Sequence, residues 1–130
     1  MQPGVVVVMS FGFKHTFVPP ARLVLDVRDF PNPFYRPDLR GLSGQDQEVS
    51  DWFYSRPTVL EKLDTLYEKL VMGVMGSVED DLYRVSVGCT GGRHRSVFVA
   101  EQLVDRAMKD HTLKDILFIA RHRDLLENTA

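Results

Sequence analysis

Cysteine and tryptophan each occur once in the 130 residues, as Cys89 and Trp52. A lone thiol excludes an internal disulfide and fits a reducing compartment. A chain of this length buries about two-thirds of its unfolded surface, so it needs neither disulfide nor metal to fold. No Cys/His pair has ligand spacing, and neither a metal nor a cofactor is expected. No apolar run approaches the roughly 18 residues of a membrane span. The start, Met1-Gln2-Pro3-Gly4, has no basic region or cleavage site of a secretory signal, which makes the cytoplasm the expected location. There is no internal repeat, no low-complexity tail and no Gly-x-x-x-x-Gly-Lys-Ser/Thr, so a nucleotide triphosphatase of that design is unsupported. Neither sign of charge dominates. With net charge −2 and pI near 6.1, any binding of a polyanion has to come from a local patch.

What is present reads as one α/β domain spanning residues 1–130. Val5 to Phe11 is a β-branched run too short for a buried helix, a strand ending at Gly12; Ala21 to Val27 is a second, with Asp26 near its end. Pro31, Asn32, Pro33 and Pro37, then Gly41 and Gly44, mark a long loop carrying Arg28, Arg36 and Arg40; its prolines exclude helix and central strand. From Asp46 to Met72 the pattern is helical, with stripes of Val49, Trp52, Phe53 and of Val59, Leu63, Leu66, Leu70 on either side of Pro57. Gly73 and Gly76 end the second helix, and Val78 to Asp81 reads as an acidic turn. Leu82 to Val87 is a third strand. Arg93 or His94 to Met108 forms a helix with Val97, Ala100, Leu103, Val104 and Ala107 inward. After a turn at Asp110 to Thr112, the run Ile116 to Ala120 is a fourth strand.

Strands separated by long crossovers imply a mostly parallel sheet of about four strands with helices on both faces. Ligands of such sheets bind beyond the carboxyl ends of the strands. The clusters Ser10 to Lys14, Asp26 to Arg28, Cys89 to Ser96 and Arg121 to Arg123 all fall there.

The segment Gly88-Cys89-Thr90-Gly91-Gly92-Arg93-His94-Arg95-Ser96 carries the chemistry. Adjacent glycines let backbone N–H groups approach an anion, and the helix that follows adds its positive end. Arg95 offers a bidentate fork to phosphate oxygens, Thr90 and Ser96 offer hydroxyls, and Arg93 and His94 add charge. The expectation is a phosphate-binding loop between the third strand and its helix. The plainer alternative is a tight turn with Cys89 as a small buried residue.

The spacing Cys89-x-x-Gly92-x-x-Arg95-Ser96 resembles the phosphate loop of cysteine-dependent phosphatases, in which a thiolate attacks phosphorus. That likeness implies a hydrolase with Cys89 as nucleophile, Arg95 as phosphoryl clamp, and Asp26, Asp29 or Asp38 as acid. The sequence departs from those enzymes at Gly88, where they usually have histidine.

Taken together, Ser10-Phe11-Gly12-Phe13-Lys14, Leu25-Asp26-Val27-Arg28-Asp29-Phe30-Pro31-Asn32-Pro33, the loop at 88–97 and Arg121-His122-Arg123-Asp124-Leu125 resemble the carboxyl-terminal domain of the RNase adapter protein RapZ. The likeness covers nearly the whole chain, with a looser match at Leu39-Arg40-Gly41-Leu42-Ser43-Gly44. It implies an α/β unit that binds glucosamine 6-phosphate, binds small regulatory RNAs in enterobacterial members, and self-associates into a homo-oligomer. Full-length members also carry an amino-terminal nucleotide-binding half, which a protein partner would have to supply, and nucleotide hydrolysis is not carried over.

On this likeness the sugar-phosphate pocket draws on Lys14, Asp26, Arg28, Thr90, Gly91, Gly92, His94 and Arg95, with Asp26 accepting from hydroxyls or pairing an amine. Ser10, Asn32, Arg40, His122 and Arg123 are secondary candidates, and His15 is a further residue able to line the pocket. Phe34 stands where enterobacterial members have histidine. RNA-binding members have a basic tail after the closing motif, whereas no basic residue follows Arg123 here; Lys109, Lys114, Arg121 and Arg123 form at most a weak patch. The readings left open are a non-catalytic binding or sensor domain for a phosphorylated small molecule, a phosphatase, and an RNA-binding adapter.

Overall fold

The computed structural model describes residues 2–77 and 81–125. Four strands, β1 (Val5–Gly12), β2 (Leu23–Asp26), β3 (Leu82–Cys89) and β4 (Leu117–His122), form one sheet in the order β2-β3-β1-β4. Every pairing is parallel, with Val8 level with Val85 and Ala120, and Asp26 level with Gly88. The β-branched runs favour this pleated, half-buried setting. β2 is shorter than the apolar run from Ala21 to Val27 that announced it, and β4 runs on through Arg121 and His122.

Alternate side chains separate the two faces of the sheet. Val6, Val8, Leu25, Tyr83, Val85, Val87 and Phe118 are buried and belong to the main core. Against them lie α2 (Gln47–Tyr54), α3 (Val59–Met75) and α4 (Arg95–Met108), which pack on one another as well as on the strands. Phe53 of α2 stacks on Phe98 of α4 with centroids 4.3 Å apart, which joins the helical layer at its centre. On the other face Val24 and Leu117 remain exposed, and the cover is the connection 13–22, anchored where the Ser86 hydroxyl donates to the Pro19 carbonyl at 2.8 Å. Ten residues containing Pro19 and Pro20 are too few for a helical crossover. The helical layer expected on that face is therefore replaced by this loop.

Two further expectations change. The proline-rich loop contains helical turns after all, a 3-10 turn at Pro33–Tyr35 and the single-turn α1 at Pro37–Arg40. Each begins at its proline, the first helical position, where the missing N–H has no helical partner to lose. Gly73 lies inside α3, which ends at Gly76. A Cβ at Gly73 would collide with the Tyr83 hydroxyl, so its small size serves packing rather than termination. The expected turn at Val78 to Asp81 falls, but for Asp81, outside the described residues.

Because all four strands run the same way, Gly12, Asp26, Cys89 and His122 end at one edge. From there the chain leaves β1 toward β2 and leaves β3 toward β4, in opposite directions. The crevice between β1 and β3 is thus the topological switch point. A Gly73→Ala substitution is expected to cost about 1–2 kcal/mol, the overpacking penalty less the gain in helix propensity. Combined with Tyr83→Phe it should cost less than the two changes summed, as urea denaturation of the four species will show.

Candidate functional site

At the switch point Gly12 pairs with Cys89, and Phe13 and Lys14 extend the ladder with N–H bonds to the carbonyls of Cys89 (2.8 Å) and Thr90 (3.2 Å). The loop then folds back onto Gly12. A Cβ at Gly12 would lie 2.6 Å from the Gly91 carbonyl, and one at Gly92 would lie 2.6 Å from the Gly12 nitrogen. Gly92 has φ +78°, the left-handed conformation that glycine alone adopts without strain.

That turn wraps the backbone around Cys89. Its buried sulfur accepts N–H bonds from Gly92 and Ser96, each at 3.3 Å, and donates to the Ser96 hydroxyl at 3.2 Å. Among the described residues, the backbone N–H groups of Thr90, Gly91, Arg93, His94 and Arg95 have no protein acceptor. Unpaired amides before a helix are the raw material of an anion site.

Above the loop lies a cavity of about 440 Å³. Its wall includes Lys14, Asn32, Arg40, Cys89, Thr90, Gly91, Gly92, Arg93, His94 and Arg95, all named from the sequence as candidates. His15 lines it too, with Nε2–H donating to the Gly91 carbonyl at 3.0 Å. Phe34, Tyr35 and Asp124 complete the wall. Tyr35 and Asp124 carried no signal as pocket residues: one is an ordinary loop aromatic in sequence, and the other follows a strand whose end lay later than expected.

The remaining candidates stand elsewhere. Asp26 and Arg28 form a bidentate pair (2.6 Å at its shortest) outside the cavity wall, with the Arg28 guanidinium 4.0 Å above the Phe13 ring. The Arg28 hydrogen bond holds the Asp26 carboxyl below its ordinary range. Ser96 is buried beneath the loop with its hydroxyl turned to Cys89. Ser10 and His122 belong to a buried relay. The Ser10 hydroxyl lies 2.7 Å from His122 Nδ1, and His122 Nε2 lies 2.6 Å from Glu101, tying β1, β4 and α4 together. Arg123 clamps the end of β4 through Asp124 and the carbonyls of Gly12 and Phe17. The basic patch also thins out, since Arg123 is engaged in this way and Lys109 pairs with Asp105 at 3.0 Å.

Electrostatically the cavity is one-sided. Lys14, Arg40, Arg93 and Arg95 line it, whereas Asp124 is the carboxylate on its wall and is already held by Arg123 at 2.9 Å. Burial alone would raise the Asp124 carboxyl, but Arg123 and the Gly12 N–H (2.7 Å) bring it below its usual value, so it is ionised at neutral pH. Arg95 is only 7% exposed. Its guanidinium donates to the Arg28 carbonyl at 2.7 Å, the Phe30 carbonyl at 3.5 Å and the Thr90 hydroxyl at 3.4 Å. These acceptors are neutral, and the carboxylate that feels the cation is Asp26, whose charge is shared with Arg28.

A family model described as the RapZ C-terminal domain matches residues 4–126. Proteins named nucleotide-binding protein are similar over nearly the whole chain. One from Clostridium botulinum is 40% identical over 126 residues, covering 95% of this chain and 41% of that protein. One from Thermobifida fusca is 42% identical over 120 residues (91% and 40%), and one from Mycobacterium ulcerans is 43% identical over 122 residues (92% and 39%). The chain thus spans about two-fifths of the length of these relatives. Among the described residues, no helix is long and apolar enough to cross a membrane.

Gly92→Ala is expected to destabilise the fold by about 2–4 kcal/mol, through the left-handed backbone and the collision with Gly12. Gly91→Ala, which has open space for a Cβ, should stay within about 0.5 kcal/mol of the parent in the same denaturation series. A second expectation concerns pH. Burial lowers the His94 pKa, outweighing the bond from its Nε2–H to the Leu39 carbonyl at 3.2 Å. The unfolded chain therefore takes up a proton below pH ~6.5 while the folded His94 stays neutral. Stability from this residue is complete above that pH and declines as pH falls toward the depressed folded value. Thermal melts of the parent across that interval should fall more steeply than those of His94→Gln.

Proposed function

The chain belongs to the RapZ C-terminal domain family, and from that membership and the geometry of the cavity we propose that it binds a phosphorylated small molecule at residues 89–96 without turning it over. The observation that carries this reading is Arg95, a buried guanidinium held by neutral oxygens in the wall of a cavity whose other cations are Lys14, Arg40 and Arg93. A buried cation hydrogen-bonded only to neutral oxygens is costly, and a tetrahedral dianion offsets that cost with charge-assisted bonds. Unpaired amides of the loop supply further donors.

An amino-sugar phosphate such as glucosamine 6-phosphate suits the rest of the wall. Asp124 is ionised and can accept from sugar hydroxyls or pair an ammonium, the role that the family resemblance implied for Asp26. The relatives' name, nucleotide-binding protein, makes a nucleoside phosphate the ligand to compare with it. RNA has less support, since Lys109 and Arg123 are spent within the chain.

One feature favours hydrolysis as a second reading. The Cys89 sulfur receives two N–H bonds and lies beside the Ser96 hydroxyl at the base of the loop, the place a nucleophile of that spacing would take. Among the described residues, no protonated acid lines the cavity. Asp26, Asp29 and Asp38 are ion-paired outside it, and the ionised Asp124 has no proton to give.

Titration calorimetry with inorganic phosphate and with glucosamine 6-phosphate is expected to show saturable binding to the parent. Arg95→Lys keeps the charge but loses the fork, and should weaken both by about tenfold or more, while Arg121→Ala on β4 leaves them unchanged. Absence of binding by the parent removes the proposal. An aryl phosphate assay should give the same background rate for the parent and Cys89→Ser; a faster parent would replace binding by hydrolysis.

A further inference from the structure

Ser10, His122 and Glu101 line no part of the cavity, yet the fold brings all three within hydrogen-bond reach of one another. The His122 side chain is 6% exposed and Ser10 is fully buried. Polar groups placed in this way gain little net stability, because desolvation cancels most of what their hydrogen bonds return. Their distinctive effect is to select one arrangement of the elements they join.

Each joined element carries part of the anion site. On β1, Ser10 stands two residues before Gly12, which meets the glycine turn and donates its N–H to Asp124 at 2.7 Å. On β4, His122 is level with Ser10 and two residues before Asp124. On α4, Glu101 lies six residues, about 9 Å of helix, beyond Arg95. Glu101 is gripped from a further side. Gln45 Nε2 donates to the same carboxylate oxygen at 3.4 Å, and its neighbour Gly44 donates its N–H to the Arg93 carbonyl at 2.8 Å. The first two turns of α4 are thus held twice, by Gly44 beside the anion loop and by Glu101 over the sheet.

The bridge is also directional. The hydrogen bond from His122 outweighs burial and holds the Glu101 carboxyl below its ordinary range, so it is ionised at neutral pH. An ionised acceptor requires a proton on His122 Nε2, and in the neutral ring Nδ1 then accepts from the Ser10 hydroxyl.

We infer that His122 is a positioning residue for the anion site: bridged between Ser10 and Glu101, it sets the start of α4 against the ends of β1 and β4, so that affinity depends on a side chain the ligand does not touch. This rests on the reading that the loop at 89–96 takes the phosphate. Amides and a guanidinium fork have to be placed within about 0.5 Å to hold their ligand well. Linkage is reciprocal, so a ligand held by the loop and α4 tightens the bridge in turn.

Calorimetry with inorganic phosphate and glucosamine 6-phosphate, beside urea denaturation of the same proteins, tests this. His122→Ala and Glu101→Ala should each weaken both probes about threefold to tenfold. The double variant should bind no more weakly than either single one, because either change alone opens the bridge. Glu101→Gln keeps an acceptor and should recover most of the loss. Gly73→Ala, packed against Tyr83 at the opposite end of the sheet, should lose stability without losing affinity, which separates positioning from stability. On the parent, nuclear magnetic resonance should show exchange of the His122 Nε2 proton slowing at saturating phosphate, a change that a merely structural bridge would not make. That measurement needs no variant and decides the matter should His122→Ala fail to fold. Parental affinity in both single variants, losses that multiply in the double variant, or proton exchange indifferent to phosphate overturns the positioning role and leaves the phosphate site intact. Failure of both probes to bind the parent overturns the phosphate site and this role together.

Discussion

The contact between Gly12 and the Gly91-Gly92 turn is the constraint from which the rest of this structure follows. Two parallel strands end side by side, and the chain must leave them in opposite directions. The space between is so narrow that no side chain fits at Gly12 or at Gly92. Gly92 enters the left-handed region, and that turn aims its own N–H, together with that of Ser96, at the sulfur of Cys89. Helix α4 therefore begins directly over the crevice, with free amides around its first turn and Arg95 as its first residue. Move the glycines apart and the helix start, the thiol cage and the arginine all lose their positions together.

Charge distribution sets what this geometry can hold. The protein as a whole is slightly acidic, with net charge −2, yet its cavity gathers four cations and a carboxylate that is already paired. The acids that could have neutralised them are used on the surface. Asp26 holds Arg28, Asp29 holds Lys62, and Asp38 holds Arg36. Exposed pairs of this kind contribute little stability. Their effect here is to leave the cavity cationic, which favours an anion in the crevice far more than net charge would suggest.

Much of this was legible in the sequence because it depended on local patterns. The β-branched runs announced the strands, the apolar stripes announced α2, α3 and α4, and the double glycine before Arg95 marked the loop. Less legible were features that arise from long-range geometry. Asp26 and Arg28 sit at a strand end, as motif position suggested, but two residues apart they satisfy one another and lie outside the cavity wall. Asp124, from the far end of the chain, instead reaches the crevice because β4 lies beside β1 and the Gly12 N–H captures its carboxylate. His122 looked like a pocket residue, yet the strand's alternation turns it inward to Ser10 and Glu101. A packing glycine such as Gly73 is likewise indistinguishable from a helix terminator until Tyr83 is seen opposite it. Pairing across the sheet decides each of these cases, and no local window contains it.

The position of Cys89 bears on the choice between the binding and hydrolytic readings. Its sulfur is enclosed by the amides it accepts and by Ser96, at the base of the loop. A thiol so placed is an internal acceptor that sets the curvature of the backbone around it, just as a carbonyl would in another turn. Nucleophilic attack would require it to give up part of that cage while a neighbouring acid released a proton, and the carboxylate on the wall is ionised by Arg123 and the Gly12 amide. The same loop in the presence of a protonated acid would be equipped for chemistry. Here the interactions that keep Asp124 charged also anchor β4 to β1, so the proton such chemistry needs cannot come from this carboxyl without loosening that anchor.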